Sequence, residues 1–112
     1  MNVVVLSGRL SSDPQRRELA SGSVLWSLEV STETDRGIAS VPVAWFDPRT
    51  EPDWTSGDEV VVVGEARRRF FRGAAGTQSR TEVVASDVAL LRQRARVRRL
   101  IERACVALGA HD

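Results

Sequence analysis

The sequence predicts a small all-β fold, a barrel or sandwich of five strands, followed by one C-terminal helix. Apolar and polar residues alternate over short segments up to about Val88, and Gly, Pro and Asp separate those segments. From Ala89 onward the apolar period changes from two to that of a helix. No long helix interrupts the strands, which excludes a βαβ architecture. A chain of 112 residues, 42% apolar and 28% charged, supports one core and is too short for two. Residues 1–91 are therefore expected to form the β-domain and residues 92–112 an arginine-rich amphipathic helix.

The first strand is expected over 3–10, where a β-branched run carries apolar side chains on both faces. A turn at Ser12-Asp13-Pro14 and a polar stretch to Ser21-Gly22 follow. Val24, Trp26, Leu28 and Val30 alternate with Leu25, Ser27, Glu29 and Ser31, giving a second strand with Trp26 in its core-facing set. Residues 32–38 read as a loop. Val41, Val43 and Trp45 make the inner face of a third strand, which leaves Phe46 outward, and Pro42 indicates an edge or bulged position. Pro48 and Pro52 leave little room for a helix in the connector 47–56, where Trp54 is expected to plug the barrel end. The Gly57-Asp58 turn opens a fourth strand that runs from Glu59 to Arg72, Gly73–Gly76 forms a loop tip, and Arg80 to about Val88 returns as the fifth. In the helix, Val97, Leu100, Ile101, Ala104 and Leu108 form an apolar stripe beside Arg92, Arg96, Arg99 and Arg103. That helix either closes the barrel with a solvated charged face or offers an interface.

The net charge of +1 conceals an asymmetry. Residues 1–66 hold five arginines against eleven carboxylates, net −6, and residues 67–112 hold eleven against four, net +7. Such a division points to a polyanionic or acidic partner. Every basic residue is arginine, whose guanidinium binds phosphate bidentately and stacks on base faces. One cysteine, Cys105, and one histidine, His111, are too few for a zinc cluster or a Cys-His dyad. No acid–base pair stands at a recognisable spacing, and Asp13, Asp47, Asp58 and Asp87 fit turns or strand ends. Neither an enzyme nor a cofactor is expected. With no membrane span and no secretion signal, a cytoplasmic, nucleoid-associated protein is expected.

Along the fourth strand Arg67, Arg69 and Phe71 share the parity opposite to Val60, Val62 and Gly64. Arginine interleaved with an outward ring suits single-stranded nucleic acid, because cations track the phosphates and rings stack on the bases. The structural alternative makes Phe70 and Phe71 plugs at a hairpin base and the arginines a solvated face.

Several segments, in order, carry a family resemblance. They are Asn2 to Leu10 with Ser7-Gly8-Arg9, Asp13-Pro14 followed by Arg17, Ser21-Gly22 before an alternating strand, and Val43-Ala44-Trp45-Phe46. Gly57-Asp58 leading to Val60–Gly64 and Thr81-Glu82-Val83-Val84 complete the set. From Asn2 to about Leu91 the chain resembles the bacterial single-stranded DNA-binding proteins, whose domain is a five-stranded oligonucleotide/oligosaccharide-binding (OB) barrel. The resemblance implies sequence-independent binding of single-stranded DNA in replication, recombination or repair. It places stacking rings at Phe46 and Phe71, an arginine, Arg36, where a loop tryptophan is usual, and Ser40 where a second tryptophan is usual, so binding should be weaker than in a typical member. Candidate contacts are thus Phe46, Phe70 and Phe71 with Arg9, Arg36, Arg67, Arg69 and Arg72.

Val4, Leu6, Val61 and Val63 are expected to point away from the barrel interior and to form a homo-oligomer interface, as a dimer or tetramer. Val41 stands where the family carries an interface histidine. In place of the family's linker and acidic tip the chain has the helix and Ala110-His111-Asp112, so partner recruitment, if retained, is expected through helix 92–108. Two other readings stand beside DNA binding: RNA binding, and a protein-interaction OB subunit resembling primosome accessory proteins.

Overall fold

The structure, a computed structural model, describes residues 1–109; the terminal Ala110-His111-Asp112, with the only histidine, lies outside them. Six strands and one helix follow in order: β1 (Val4–Leu10), β2 (Gln15–Glu18), β3 (Val24–Thr34), β4 (Gly37–Phe46), β5 (Glu59–Gly73), β6 (Gly76–Leu90) and α1 (Arg94–Gly109). The sheet runs β1-β5-β6-β4-β3-β2, and pairing of β1 with β3 closes five of the strands into a barrel. This is an OB-like fold, as the sequence predicts, with β2 as an additional strand. Among the described residues no helix is long and apolar enough to cross a membrane.

Closure depends on β1 changing partners. Val4 to Arg9 pair with β5, and Arg9 and Leu10 pair with Ser31 and Val30 of β3. At Gly8 a Cβ would run into the Ser31 carbonyl, so only glycine lets the two backbones meet. Beyond Leu10, β2 takes over the same edge of β3, pairing Gln15–Glu18 with Ser27–Val24. The polar stretch after Pro14 thus contains a strand. It has no apolar alternation because all four residues are exposed, and backbone pairing with β3 holds it in the sheet.

The presumed loop 32–38 is likewise regular. β3 and β4 pair through to Thr34 and Gly37, leaving only Asp35 and Arg36 at the tip. The Thr34 hydroxyl donates to the Gly37 carbonyl at 2.9 Å, and Gly37 takes a φ of 111°. Pro42 is the last β4 residue before parallel pairing with β6 begins at Val43–Val83, so it falls outside that ladder.

The barrel interior is filled by Leu10, Trp26, Leu28, Val30, Val43, Trp45, Val60, Val62, Val83 and Val88. Trp54 packs against this cluster and stacks on Trp45 with ring centroids 5.9 Å apart, at the barrel end where it was expected. A second apolar layer lies outside the barrel: Val97, Leu100 and Ala104 of α1 cover Val61, Val63 and Ala89.

That layer corrects the expected assembly surface. Val61 and Val63 do point outward, but α1 of the same chain buries them to 3% and 8% exposure. Val4 and Leu6 point inward and pack on the barrel core, leaving Val5 as the exposed member of the run. None of the four therefore forms an uncovered apolar stripe. α1 uses most of its own stripe to cover the outer face of β5 and β6, while Ile101 and Leu108 stay exposed.

Candidate nucleic-acid interface

β5 and β6 continue past the barrel as a long hairpin arm, paired from Arg67–Glu82 to Gly73–Gly76. Strand alternation then decides which residues share a face. Arg67, Arg69 and Phe71 continue the outward parity of Val61 and Val63, whereas Phe70 and Arg72 lie on the opposite face. On β6, Arg80 and Glu82 alternate with the inward Val83 and Ala85.

Arg69, Phe71 and Arg80 form one wall of a cleft of about 630 Å³. Arg16 and Arg17 of β2 and Leu25, Ser27 and Glu29 of β3 complete the lining, so the cleft holds four arginines and one carboxylate. Phe71 is 40% exposed, which leaves part of its ring open to the cleft.

Beneath the wall lies Glu82, the buried charged residue of the described chain, at 6% exposure. Its Oε2 stands 3.8 Å from Arg69 Nη1 and 3.9 Å from Arg80 Nη2. At those separations the carboxylate attracts both guanidinium groups without binding either through a hydrogen bond. Among the described residues neither fork has a hydrogen-bond partner, so both are held at the cleft with N–H groups available to an oxyanion. Arg16, by contrast, is tied to Glu51 at 3.2 Å.

The eight expected contacts separate into groups. Arg69 and Phe71 meet in this cleft. Arg67 shares their face, but its Nε and Nη2 both bind Glu65 Oε1, at 2.8 and 2.7 Å. Phe70, 67% exposed, and Arg72 lie on the reverse of the arm. Arg9 pairs with Glu59 at 3.3 Å along the β1–β5 seam, and Arg36 stands at the β3–β4 tip. Phe46, 44% exposed, lines a neighbouring cleft. Its cross-strand partner Leu25, buried at 3% exposure, lines the floor of the first, so the two clefts adjoin at this pair.

Arg17 and Arg80 were not among the expected contacts. Parity counted back from the inward Val83 would have found Arg80, whereas Arg17 depends on a strand with no apolar signal. Among the described residues no group of His, Cys, Asp and Glu is placed to hold a metal ion. Comparison with protein-family models and with curated proteins returns no match.

Proposed function

We propose that the protein binds single-stranded DNA without base-sequence preference, along the outer face built by β2, β3 and the β5–β6 arm. The observation that carries this reading is the meeting of the Phe71 ring with Arg69, Arg80 and Arg17 in one open cleft. A base stacks on Phe71 while the flanking phosphates engage the guanidinium forks; a ring face accepts any base, which makes the contact sequence-tolerant. The resemblance to single-stranded DNA-binding proteins points the same way, toward a role in replication, recombination or repair.

Arg17, Arg69 and Arg80 supply about three phosphate contacts, so the logarithm of affinity should fall with a slope of about −2 against the logarithm of salt. Between about 50 and 200 mM that amounts to roughly twentyfold. Equilibrium binding of an oligothymidine, an oligouridine and a duplex of equal length over that range tests the proposal. The expected result is tighter binding of oligothymidine than duplex, with that slope; preference for duplex, or indifference to salt, overturns it. Tighter binding of oligouridine would make RNA the ligand.

A second reading, an OB subunit that serves chiefly in protein assembly, is favoured by Leu91 and Ile101, which stay 40% and 41% exposed beside α1. A homo-oligomer would likewise draw on exposed apolar residues such as these, Val5, Ile38 or Val106, since Val61 and Val63 are covered within the chain and Val4 and Leu6 pack on the barrel core. Partner capture that requires α1, with oligonucleotide binding too weak to measure, would decide for this second reading.

A further inference from the structure

We propose that the bound strand passes over Phe46 and lays its sugar-phosphate backbone into a second basic cleft, between α1 and the connector that follows β4. This inference rests on the binding proposed above and extends its path. The second cleft measures about 580 Å³ and is lined by Phe46 together with Arg49, Arg96, Arg99 and Arg103. Leu25 and Phe46 are cross-strand partners, about 5 Å apart at their Cα atoms in any antiparallel ladder. The two arginine-lined clefts therefore adjoin across a single residue pair, of which Phe46 is the exposed member.

Local structure holds this second cleft in shape. Directly after Phe46 the chain turns at Asp47, whose φ of 47° is one that aspartate tolerates. The Asp47 amide donates to the Val24 carbonyl at 2.9 Å, and its Oδ1 accepts from the Val24 amide at 2.8 Å. That clamp ends β4 with the Phe46 ring at its rim. On the other side, a bulge shifts the β5–β6 register between Val63–Asp87 and Gly64–Ala85, leaving Ser86 as the additional residue. The Ser86 hydroxyl donates to the Val63 carbonyl at 2.9 Å, and Asp87 turns toward α1. There it pairs with Arg96 at 3.4 Å and Arg103 at 3.2 Å.

One carboxylate thus orients two arginines two turns apart on the helix, with Arg99 between them. The lining carries four arginines against Asp47 and Asp87, a surplus of two positive charges beside an exposed ring. Among the described residues Arg49 and Arg99 have no ion-pair partner, and they are the two whose charge a phosphate would meet unopposed. An aromatic rim followed by uncommitted cations repeats the composition of the first cleft.

The test compares the protein with its R49A/R99A variant on oligothymidines of about 5 and about 15 nucleotides, which bracket much of the range one OB barrel covers. Both substitutions leave the Asp87 pairs in place, so the melting transition should not move. For the longer strand the variant should lose about 1.4 from the salt slope and bind about tenfold more weakly, while the shorter strand binds both proteins alike. Equal binding of the longer strand by both proteins would show that the path ends at Phe46, and would overturn the inference while leaving the first cleft's role standing. Failure of the unsubstituted protein to bind either strand would overturn both proposals. If the variant keeps its grip on the longer strand but loses binding of polyglutamate, the cleft serves an acidic polypeptide, and the inference is overturned in favour of that partner.

Discussion

Replacing Phe71 with alanine removes the ring on which the first cleft is proposed to stack a base. Phe71 is 40% exposed, which leaves roughly 80 Å² of a phenylalanine's ~200 Å² open to a ligand. Covering that area contributes about 2 kcal/mol at ~25 cal/mol per Å², within the ~1–3 kcal/mol of a base–aromatic stack. F71A should therefore bind oligothymidine about thirtyfold more weakly, read by anisotropy of a labelled strand. The neighbouring Phe70 is the control. At 67% exposure it offers more apolar area than Phe71, but on the reverse face of the arm. If exposed area alone governed binding, F70A would have the larger effect; if the face governs, F70A changes affinity by no more than about twofold. Neither ring belongs to the buried core clusters, so both variants should keep their stability to within about 1 kcal/mol. An F70A effect equal to or greater than that of F71A would refute the face assignment.

Other substitutions test the scaffold and the electrostatics. In G64A the new Cβ would meet the Val84 carbonyl closer than side chains normally approach, so urea denaturation should show a loss of about 3 kcal/mol. In E82Q both Arg69 and Arg80 lose their shared counter-charge, and the salt slope for oligothymidine should steepen by about 0.7. In L100A a side chain only 1% exposed is truncated, at a cost of about 2–5 kcal/mol. The same change thins the cover over Val61 and Val63, so light scattering should detect more self-association than in the unsubstituted protein.

Most of the barrel was legible because its strands are half-exposed. Trp26, Leu28 and Val30, then Val43 and Trp45, then Val60 and Val62 recur at period two, and all of them reach the interior. The first strand misleads because Val3 to Leu6 are apolar on both faces and contain no parity signal of their own. Arg9 supplies one: with Arg9 outward, Val5 follows it and Val4 and Leu6 turn inward, as the pairing of Leu6 with Val62 requires. β2 was invisible because Gln15, Arg16, Arg17 and Glu18 are chosen for solvent and paired only through backbone. The site was legible in part for a related reason. Parity along one strand separates Phe71 from Phe70, but the approach of Arg17 and Arg80 to Phe71, and the separation of Phe46 into another cleft, are tertiary facts.

The single strand is proposed to lie on the outward face that carries Phe71 and Phe46. Photocrosslinking reads that face directly. An oligothymidine with iodouridine at successive positions, irradiated in complex with the full chain and mapped by peptide mass, should attach at Phe71 from one set of positions. Attachment at Phe46 should follow from positions further along, with Phe70 unlabelled. Attachment at Phe70, or at β1, in preference to these two would show that the strand binds another face.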